Sequence, residues 1–264
     1  MPIPPAFFIS NSIPKSGSTL MFDYQKQIFS DVYDSDMHAS YERLSNVLGL
    51  DCTDGFVPPS KIPALEKFLM TKRGLQLVSP CVIKTHAPYS PQFAKFLYSS
   101  SSIFSSLCIR CPYQVLRSAM INHKLRPFEF KYFSNPIIGS LRITFFFYYR
   151  IYKSFVSGHS SRYPSNVIHY DFFKSNPSTA LFNSMGQFFA ILSNSDSLKY
   201  SVPQIFSIID TVVTSSVLAE KVSYRISPHS ENSSFSLSPF ERSVTSFIMS
   251  PPDREFERFL EFTG

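Results

Sequence analysis

The stretch from residue 6 to residue 19 constrains the fold more than any other part of the chain. It reads AFFISNSIPKSGST, so a short apolar run leads directly into a loop with one glycine between a lysine and two hydroxyl residues. A strand that passes through such a loop into a helix aims several backbone N–H groups and the positive end of the helix dipole at one point. The stretch therefore predicts a strand over 6–12, a helix over about 18–30 and an anion-binding loop between them.

The polar residues of this loop suit an anion in different ways. Gly17 lets the backbone approach a ligand closely, and Lys15 adds a mobile positive charge. The hydroxyls of Ser18 and Thr19 either cap the helix or reach the anion. A plain Ser/Thr cap with a glycine turn explains the same residues, so the loop by itself leaves both interpretations open.

Beyond the loop, short apolar runs alternate with helical patterns. Further strands are predicted at 81–86, 106–110 and 166–170, and helices at 62–73, 112–123, 136–156, 178–192, 203–221 and 254–262. The serine-rich stretch 98–105 is expected to be a surface connection. This alternation predicts an α/β three-layer sandwich, with a central parallel sheet and helices on both faces, in a single domain over residues 1–264.

Charge and hydropathy narrow the choice of partners. The net charge of +6 suits an anionic ligand, a nucleic acid or a membrane surface, but the basic residues are scattered, which disfavours both a nucleic acid and a membrane surface. The most apolar helical stretch, 136–156, is interrupted by Arg142, Arg150 and Lys153, so it predicts a buried helix and no transmembrane segment. Peripheral membrane contact stays open. The N-terminal residues lack the pattern of a signal peptide, which favours a cytoplasmic location.

The cysteines predict neither a disulfide framework nor a metal site. There are four of them, too few and too scattered for a stapled fold. Cys108 and Cys111 form a single C-x-x-C without a second pair or spaced histidines, and small buried side chains near a strand end explain them better than zinc does. We expect a reducing setting and no metal.

The common nucleotide-binding motifs are absent from the sequence. The phosphate loop of nucleoside triphosphatases reads G-x-x-x-x-G-K-[ST], and this chain has no Gly-Lys pair; it also has no G-x-G-x-x-G. The strand that ends at Arg110 lacks an acidic residue to hold Mg²⁺. An ordinary kinase or dinucleotide enzyme is therefore disfavoured.

Four segments carry a resemblance to a known family. PKSGST at 14–19 resembles the 5′-phosphosulfate loop of the sulfotransferases that use 3′-phosphoadenylyl sulfate (PAPS), whose pattern is P-K-S-G-[TS]-[TS]-[WL]. The other three are IKTH at 83–86, CIRCPYQVLRSAM at 108–120 and VIHYDFFKSNP at 167–177, which resemble later motifs of that family in the same order. The resemblance implies the P-loop-like sulfotransferase fold. It also implies transfer of a sulfonate from PAPS to a hydroxyl or amine acceptor, leaving PAP as the product.

The resemblance also implies three catalytic residues. His86 would act as the general base, because a neutral imidazole can take the proton of an acceptor hydroxyl during attack on sulfur. Lys15 would neutralise the charge that develops on the leaving phosphate oxygen, and Lys84 would lie near the transferred sulfonate. The remaining histidines lack such a context and are expected to be structural: His38, His123, His159, His169 and His229.

The donor-binding residues follow from the same motifs. The 5′-phosphosulfate end is assigned to Lys15, Ser16, Gly17, Ser18 and Thr19. The 3′-phosphate is assigned to Arg110, which can hold a phosphate with two hydrogen bonds, and to Ser118 eight residues later on the next helix. Tyr170 matches a tyrosine that lies near the adenine of the donor in that family.

The sequence departs from the family pattern at two places. The family often has Trp directly after the loop, to stack on adenine, whereas this chain has no Trp and offers Leu20, with Phe22 or Tyr170 as substitute stacking surfaces. The closing Arg-Lys-Gly motif is absent, and Arg225 in SYRISPHS is its stand-in.

The acceptor is left open by the sequence. Aromatic residues are frequent in 31–80 and 125–150, the segments expected to shape the acceptor pocket, which weakly favours a lipid-like or phenolic molecule. A small-molecule, lipid or carbohydrate acceptor is compatible with these features. Two other functions are weighed against sulfonate transfer: a nucleotide or small-molecule kinase with a degenerate phosphate loop, and a nucleotide-binding module that has lost catalysis.

Overall fold

The apolar run at the start of the chain forms a strand that is buried along its whole length. In the computed structural model, which describes residues 6–12, 16–87, 91–97, 100–110, 167–194 and 200–215, this strand is β1 (Phe7–Ser12). Phe7 and Ile9 are fully buried, and both edges of β1 are paired. A strand covered on both faces is expected to be almost continuously apolar, as this one is in its first half.

The strands of the described residues form one all-parallel sheet. The further strands are β2 (Cys81–Thr85), β3 (Ile103–Ile109) and β4 (Val167–His169), and the spatial order is β2-β1-β3-β4. Asn11 of β1 is level with Thr85 on one side and with Leu107 on the other. The chain thus moves to one side of β1 to form β2 and to the other side to form β3, so the direction of strand addition reverses beside β1.

Helices surround this sheet. In chain order they are α1 (Ser18–Tyr33), α2 (His38–Leu48), α3 (Ile62–Leu69), α4 (Lys72–Val78), α5 (Pro91–Leu97), α6 (Tyr170–Ser175), α7 (Pro177–Ser184), α8 (Gly186–Asn194) and α9 (Val202–Thr214), with a 3₁₀ turn at Pro59–Lys61. The α/β class with a parallel sheet, expected from the sequence, is confirmed for the described residues. No helix among these residues is long and apolar enough to cross a membrane.

Aromatic packing fixes α1 against the sheet. The Phe29 ring of α1 lies 5.6 Å from the Phe8 ring of β1 and stacks at 4.3 Å on Phe188 of α8. The Phe104 ring of β3 meets Phe188 edge-on at 5.6 Å. These rings are buried, and paired aromatic rings stabilise a core beyond the area they bury. The contacts hold α1 in place, and with it the loop at its N-terminus.

The predicted helix over 62–73 is divided in two. It breaks at Met70 and Thr71, where Thr71 adopts an extended backbone and its hydroxyl accepts a hydrogen bond from Gly74 N at 2.9 Å. Threonine side chains compete with the helical hydrogen-bond pattern and favour the capping position, which is the physical reason for the break. The predicted helix over 178–192 is likewise divided, at Met185, into α7 and α8.

Two further differences concern elements whose signals were present in the sequence. β3 begins at Ile103, so the end of the serine-rich stretch belongs to a buried strand, with Phe104 only 5% exposed. Helix α2 was not predicted, although Tyr41, Leu44 and Leu48 are buried at helical spacing and Gly49 ends the helix in the left-handed conformation. The predicted helices over 112–123, 136–156 and 254–262 lie outside the described residues.

Removing the Phe29 ring tests whether this aromatic packing holds the fold. Phe29→Ala should lower the free energy of unfolding by about 3 to 5 kcal/mol, because it opens a cavity between the sheet and α8. Val47→Ala on α2 is the control, since that side chain is 40% exposed and should change stability little. Urea unfolding of both variants gives the comparison, and equal losses would contradict the central role of Phe29.

Candidate functional site

Except for Lys84, which lies within β2, the predicted site residues that the structure describes follow the carboxyl ends of the four strands. Ser16–Thr19 follow β1, while His86, Arg110 and Tyr170 follow β2, β3 and β4. Because the strands are parallel, these ends share one edge of the sheet. In open α/β sheets, ligands bind beyond this edge where the direction of strand addition reverses, which here is beside β1.

Gly17 shapes the loop that precedes α1. Its φ of 83° lies in the left-handed region, and it occupies the N-cap position of α1, with its carbonyl accepting from Met21 N at 3.1 Å. A plain Ser/Thr cap is therefore not what the described loop contains. The first N–H groups of a helix have no intrahelical acceptor, so this end of α1 retains the donors and the positive dipole end that an anion needs.

Ser16 ties the loop to β3. Its hydroxyl donates to the Cys108 carbonyl at 3.0 Å, and the Cys108 thiol donates back to the Ser16 carbonyl at 3.0 Å. Burial raises the pKa of the Cys108 thiol to about 12, so the thiol stays protonated and can donate. Ser16 thus positions the loop through its side chain.

Among the described residues no cluster of His, Cys, Asp or Glu has the form of a metal site, and Cys111 lies outside them.

The ring of His86 has a defined tautomer. Its Nδ1 lies 2.7 Å from the backbone carbonyl oxygen of Ser12 and 3.3 Å from the Ser12 hydroxyl. A carbonyl oxygen can only accept, so Nδ1 carries the proton and Nε2 is the basic nitrogen of the neutral ring. The Phe56 ring lies beside this imidazole, with 5.6 Å between the ring centroids. His86 is therefore oriented from β1 and bordered by an aromatic side chain.

Lys84 reaches from β2 to the first turn of α1. Its ammonium group donates to the Thr19 hydroxyl oxygen at 2.6 Å. The segment around Phe56 pairs with β2. Phe56 and Lys84 form a parallel bridge, in which Val57 N donates to the Lys84 carbonyl at 2.9 Å. A positive charge is thereby held next to the N-terminus of α1, where the helix dipole also favours an anion.

Tyr170 contacts both the loop and Arg110. The Arg110 guanidinium carbon lies 4.6 Å from the centroid of the Tyr170 ring, in cation–π geometry. A Cβ atom at Gly17 would overlap Cδ2 and Cε2 of the same ring. Burial raises the pKa of the Tyr170 phenol, while the nearby Arg110 charge opposes that rise. One tyrosine ring thus joins the ends of β1, β3 and β4.

The other predicted residues lie outside the described part of the chain, in the core or on the surface. Lys15, Ser118 and Arg225 lie outside the described residues. Phe22, one of the two substitutes for the adenine-stacking Trp, is a core residue: it is 3% exposed and fills the space next to Gly55, so it does not offer a stacking surface. His38 lies 3.4 Å from Glu42 on the exposed side of α2, in keeping with a surface role.

Asn11, Ser12 and Phe56 are site residues that the sequence reasoning missed. Asn11 and Ser12 are at most 3% exposed, although both are polar. Their signal was the polar SNS at the end of an apolar strand, because buried polar groups require hydrogen-bond partners and often lie at functional sites. Phe56 carried no such signal, since its contact with His86 depends on the pairing of distant segments.

Comparisons with known proteins add no family assignment. No protein-family model matches the chain, and a search of the curated proteins gives no match.

Gly17 and Gly49 provide a matched test of the contact between the loop and Tyr170. Both have positive φ, so an alanine at either should cost roughly 1 to 2 kcal/mol of stability for the left-handed backbone. Only Gly17→Ala also drives a methyl group into the Tyr170 ring; Gly49 has nothing within 4 Å. We expect Gly17→Ala to destabilise the protein more than Gly49→Ala in urea unfolding.

A double variant identifies the ring as the cause. Adding Tyr170→Ala to Gly17→Ala should recover the extra loss, giving a coupling between the two positions in a double-mutant cycle. Adding it to Gly49→Ala should give additive losses. Equal destabilisation by the two glycine variants, or no coupling at Gly17, would contradict the packing of Tyr170 on the loop.

Proposed function

We propose that this chain is a sulfotransferase that moves a sulfonate group from PAPS to a hydroxyl or amine acceptor. The observation that carries the proposal is the meeting of the four motif segments at one edge of the parallel sheet, with Gly17 and Arg110 both against the Tyr170 ring. The three-layer, P-loop-like sulfotransferase fold is part of the same proposal. It is supported by the β2-β1-β3-β4 order and the strand-to-helix loop beside the reversal point.

The N-terminus of α1 is the proposed site for the 5′-phosphosulfate. Three features support this assignment: the left-handed Gly17, the helix dipole and the ammonium group of Lys84 bound to Thr19. Lys15 would add a second positive charge from the loop. These groups favour an anion without requiring the Gly-Lys pair of the triphosphatase loop, which the chain lacks.

Arg110 is the proposed site for the 3′-phosphate. It follows β3, the neighbour of β1, so two cationic sites lie at the ends of adjacent strands. Such a pair suits a nucleotide with an anionic group at each end. The Tyr170 ring packs against the guanidinium in cation–π geometry. A guanidinium can hold a phosphate with two hydrogen bonds, which suits Arg110 to this role. Ser118 and Arg225 would complete this site.

His86 is the proposed general base. The acceptor oxygen or nitrogen forms a bond to sulfur while the bond from sulfur to the leaving phosphate oxygen breaks, and that oxygen keeps the electron pair in PAP. The acceptor proton goes to Nε2, the nitrogen that the Ser12 contact leaves without a proton. Lys84 would stabilise the negative charge of the transferring sulfonate, and Lys15 that of the leaving group.

Donor binding tests the proposal against a kinase. PAP should raise the melting temperature, because a ligand that binds only the folded state stabilises it, by about 2.7 kcal/mol at a concentration 100 times its Kd. ATP with Mg²⁺ should do less, since it has no 3′-phosphate for Arg110. Thermal melts with each ligand give the comparison, and stronger stabilisation by ATP would favour the kinase and contradict the proposal.

Two arginine variants test whether Arg110 binds the 3′-phosphate of the donor. Arg110→Ala should weaken PAP binding by about 1.5 to 3 kcal/mol, the usual loss for a charge-assisted hydrogen bond, and should leave adenosine 5′-phosphosulfate nearly unaffected. Arg43→Ala is the matched control: it removes the same charge from the exposed side of α2, where the guanidinium donates to the Leu77 carbonyl at 2.7 Å. Equal losses for the two ligands would remove Arg110 from the 3′-phosphate site.

His86→Ala separates an enzyme from an inactive binding module. It should lower the rate of sulfonate transfer from labelled PAPS by roughly 10²–10⁴-fold and leave PAP affinity nearly intact, because a general base acts in the transition state. His38→Ala, at an exposed histidine of α2, should change neither quantity. The measurement begins with a screen of phenolic, lipid and carbohydrate acceptors. A folded His86→Ala protein that transfers at the parent rate would remove His86 as the base.

A further inference from the structure

Asn11 joins the carboxyl ends of β1 and β2 through its side chain. Its Oδ1 accepts a hydrogen bond from Ser12 N at 2.9 Å, and its Nδ2 donates to the Ala87 carbonyl at 3.1 Å. These partners fix the orientation of the amide, because Ser12 N can only donate and the Ala87 carbonyl can only accept. The side chain is 3% exposed, so both bonds are shielded from water.

His86 lies between two anchored residues. On one side, the Thr85 hydroxyl donates to the Val57 carbonyl at 2.7 Å. On the other side, the Ala87 carbonyl accepts from Asn11. The imidazole donates from Nδ1 to the carbonyl of Ser12, whose own N–H is bound by Asn11. The Asn11 side chain therefore binds the backbone of both segments that this imidazole contact joins.

We propose that Asn11 is a positioning residue for His86. By holding the segment after β2 against the end of β1, it keeps the imidazole proton on Nδ1 and keeps Nε2 as the proton-accepting nitrogen. The consequence for catalysis rests on the proposed sulfotransferase function. The tautomer itself is a property of the folded chain and can be measured without any substrate.

The chemistry of the position requires an amide. Asp has nearly the same shape and can accept from Ser12 N, but it has no hydrogen to donate to Ala87 and would place a negative charge against that carbonyl. Ala keeps the backbone and removes both bonds, which leaves buried polar groups without partners. An apolar side chain would suffice if residue 11 served only to pack β1 between β2 and β3, because a buried polar group costs free energy unless it forms hydrogen bonds.

Nitrogen NMR of the histidine rings reads the tautomer directly. At about pH 8 an ordinary imidazole is neutral. The nitrogen chemical shift then distinguishes the ring nitrogen that carries the proton from the one that does not. The signal of His86 among the six histidines is the one lost in His86→Gln. In the unmodified protein we expect the proton on Nδ1. In Asn11→Asp and Asn11→Ala we expect a smaller Nδ1–H population, with signals for the other tautomer.

Kinetics report the catalytic consequence. The Asn11 variants should lower kcat for sulfonate transfer by about 10-fold to 100-fold, the loss typical when the residues that orient a metal-bound histidine are removed, with PAP affinity unchanged. Ser40→Ala is the matched control, because the Ser40 hydroxyl makes a comparable bond to the Pro80 carbonyl, just before the opposite end of β2. It should lower stability without changing the His86 tautomer or kcat.

Each outcome decides the proposal. A proton on Nε2 in the unmodified protein overturns it, and so does an unchanged His86 signal in folded Asn11 variants. Loss of the folded state in both variants overturns it too, because Asn11 would then serve the fold and not His86 in particular. If the tautomer responds to Asn11 but the unmodified protein transfers no sulfonate, the positioning role is supported and the failure belongs to the proposed function.

Discussion

The pairing of β1 with β2 on one side and β3 on the other determines where the site residues at the ends of these three strands lie. Asn11 is level with both Thr85 and Leu107, so the loop after β1 is flanked by the residues that follow β2 and β3. Side chains alternate between the faces of a strand, and a shift of one residue in this register would send them to the opposite face. The bonds from His86 to Ser12 and from Cys108 to Ser16 depend on this alignment.

The carboxyl ends of the strands carry polar residues although they are largely buried, and these polar groups form hydrogen bonds between segments. Burying such groups without partners would cost free energy, so their hydrogen bonds are a condition of the arrangement. Thr19 accepts from Lys84, Ser16 and Cys108 exchange hydrogen bonds, and Asn11 holds Ala87. Each of these bonds connects segments that are far apart in the sequence. The result is a set of polar side chains held by hydrogen bonds between the strand ends.

The place of Tyr170 bears on how a nucleotide would be held. In the sulfotransferases that the motifs resemble, the matching tyrosine lies near adenine, and this chain lacks the Trp that often stacks there. Here one side of the ring carries Arg110, and its edge lies against Gly17. The Tyr170 ring therefore contacts residues of both proposed anion sites.

The sequence by itself determined the central strand, the glycine loop into α1, the short strand before His86 and the parallel α/β class, because apolar runs, a glycine before a helix and helical spacing are local signals. It also contained the signals for α2 and for the polar end of β1, which were overlooked. Only the tertiary structure decided the strand order, the core position of Phe22, the bond from Asn11 to Ala87 and the contact of Phe56 with His86. The physical reason is distance along the chain: Asn11 meets Ala87 across 76 residues, and no local pattern specifies which carbonyl a side chain will reach.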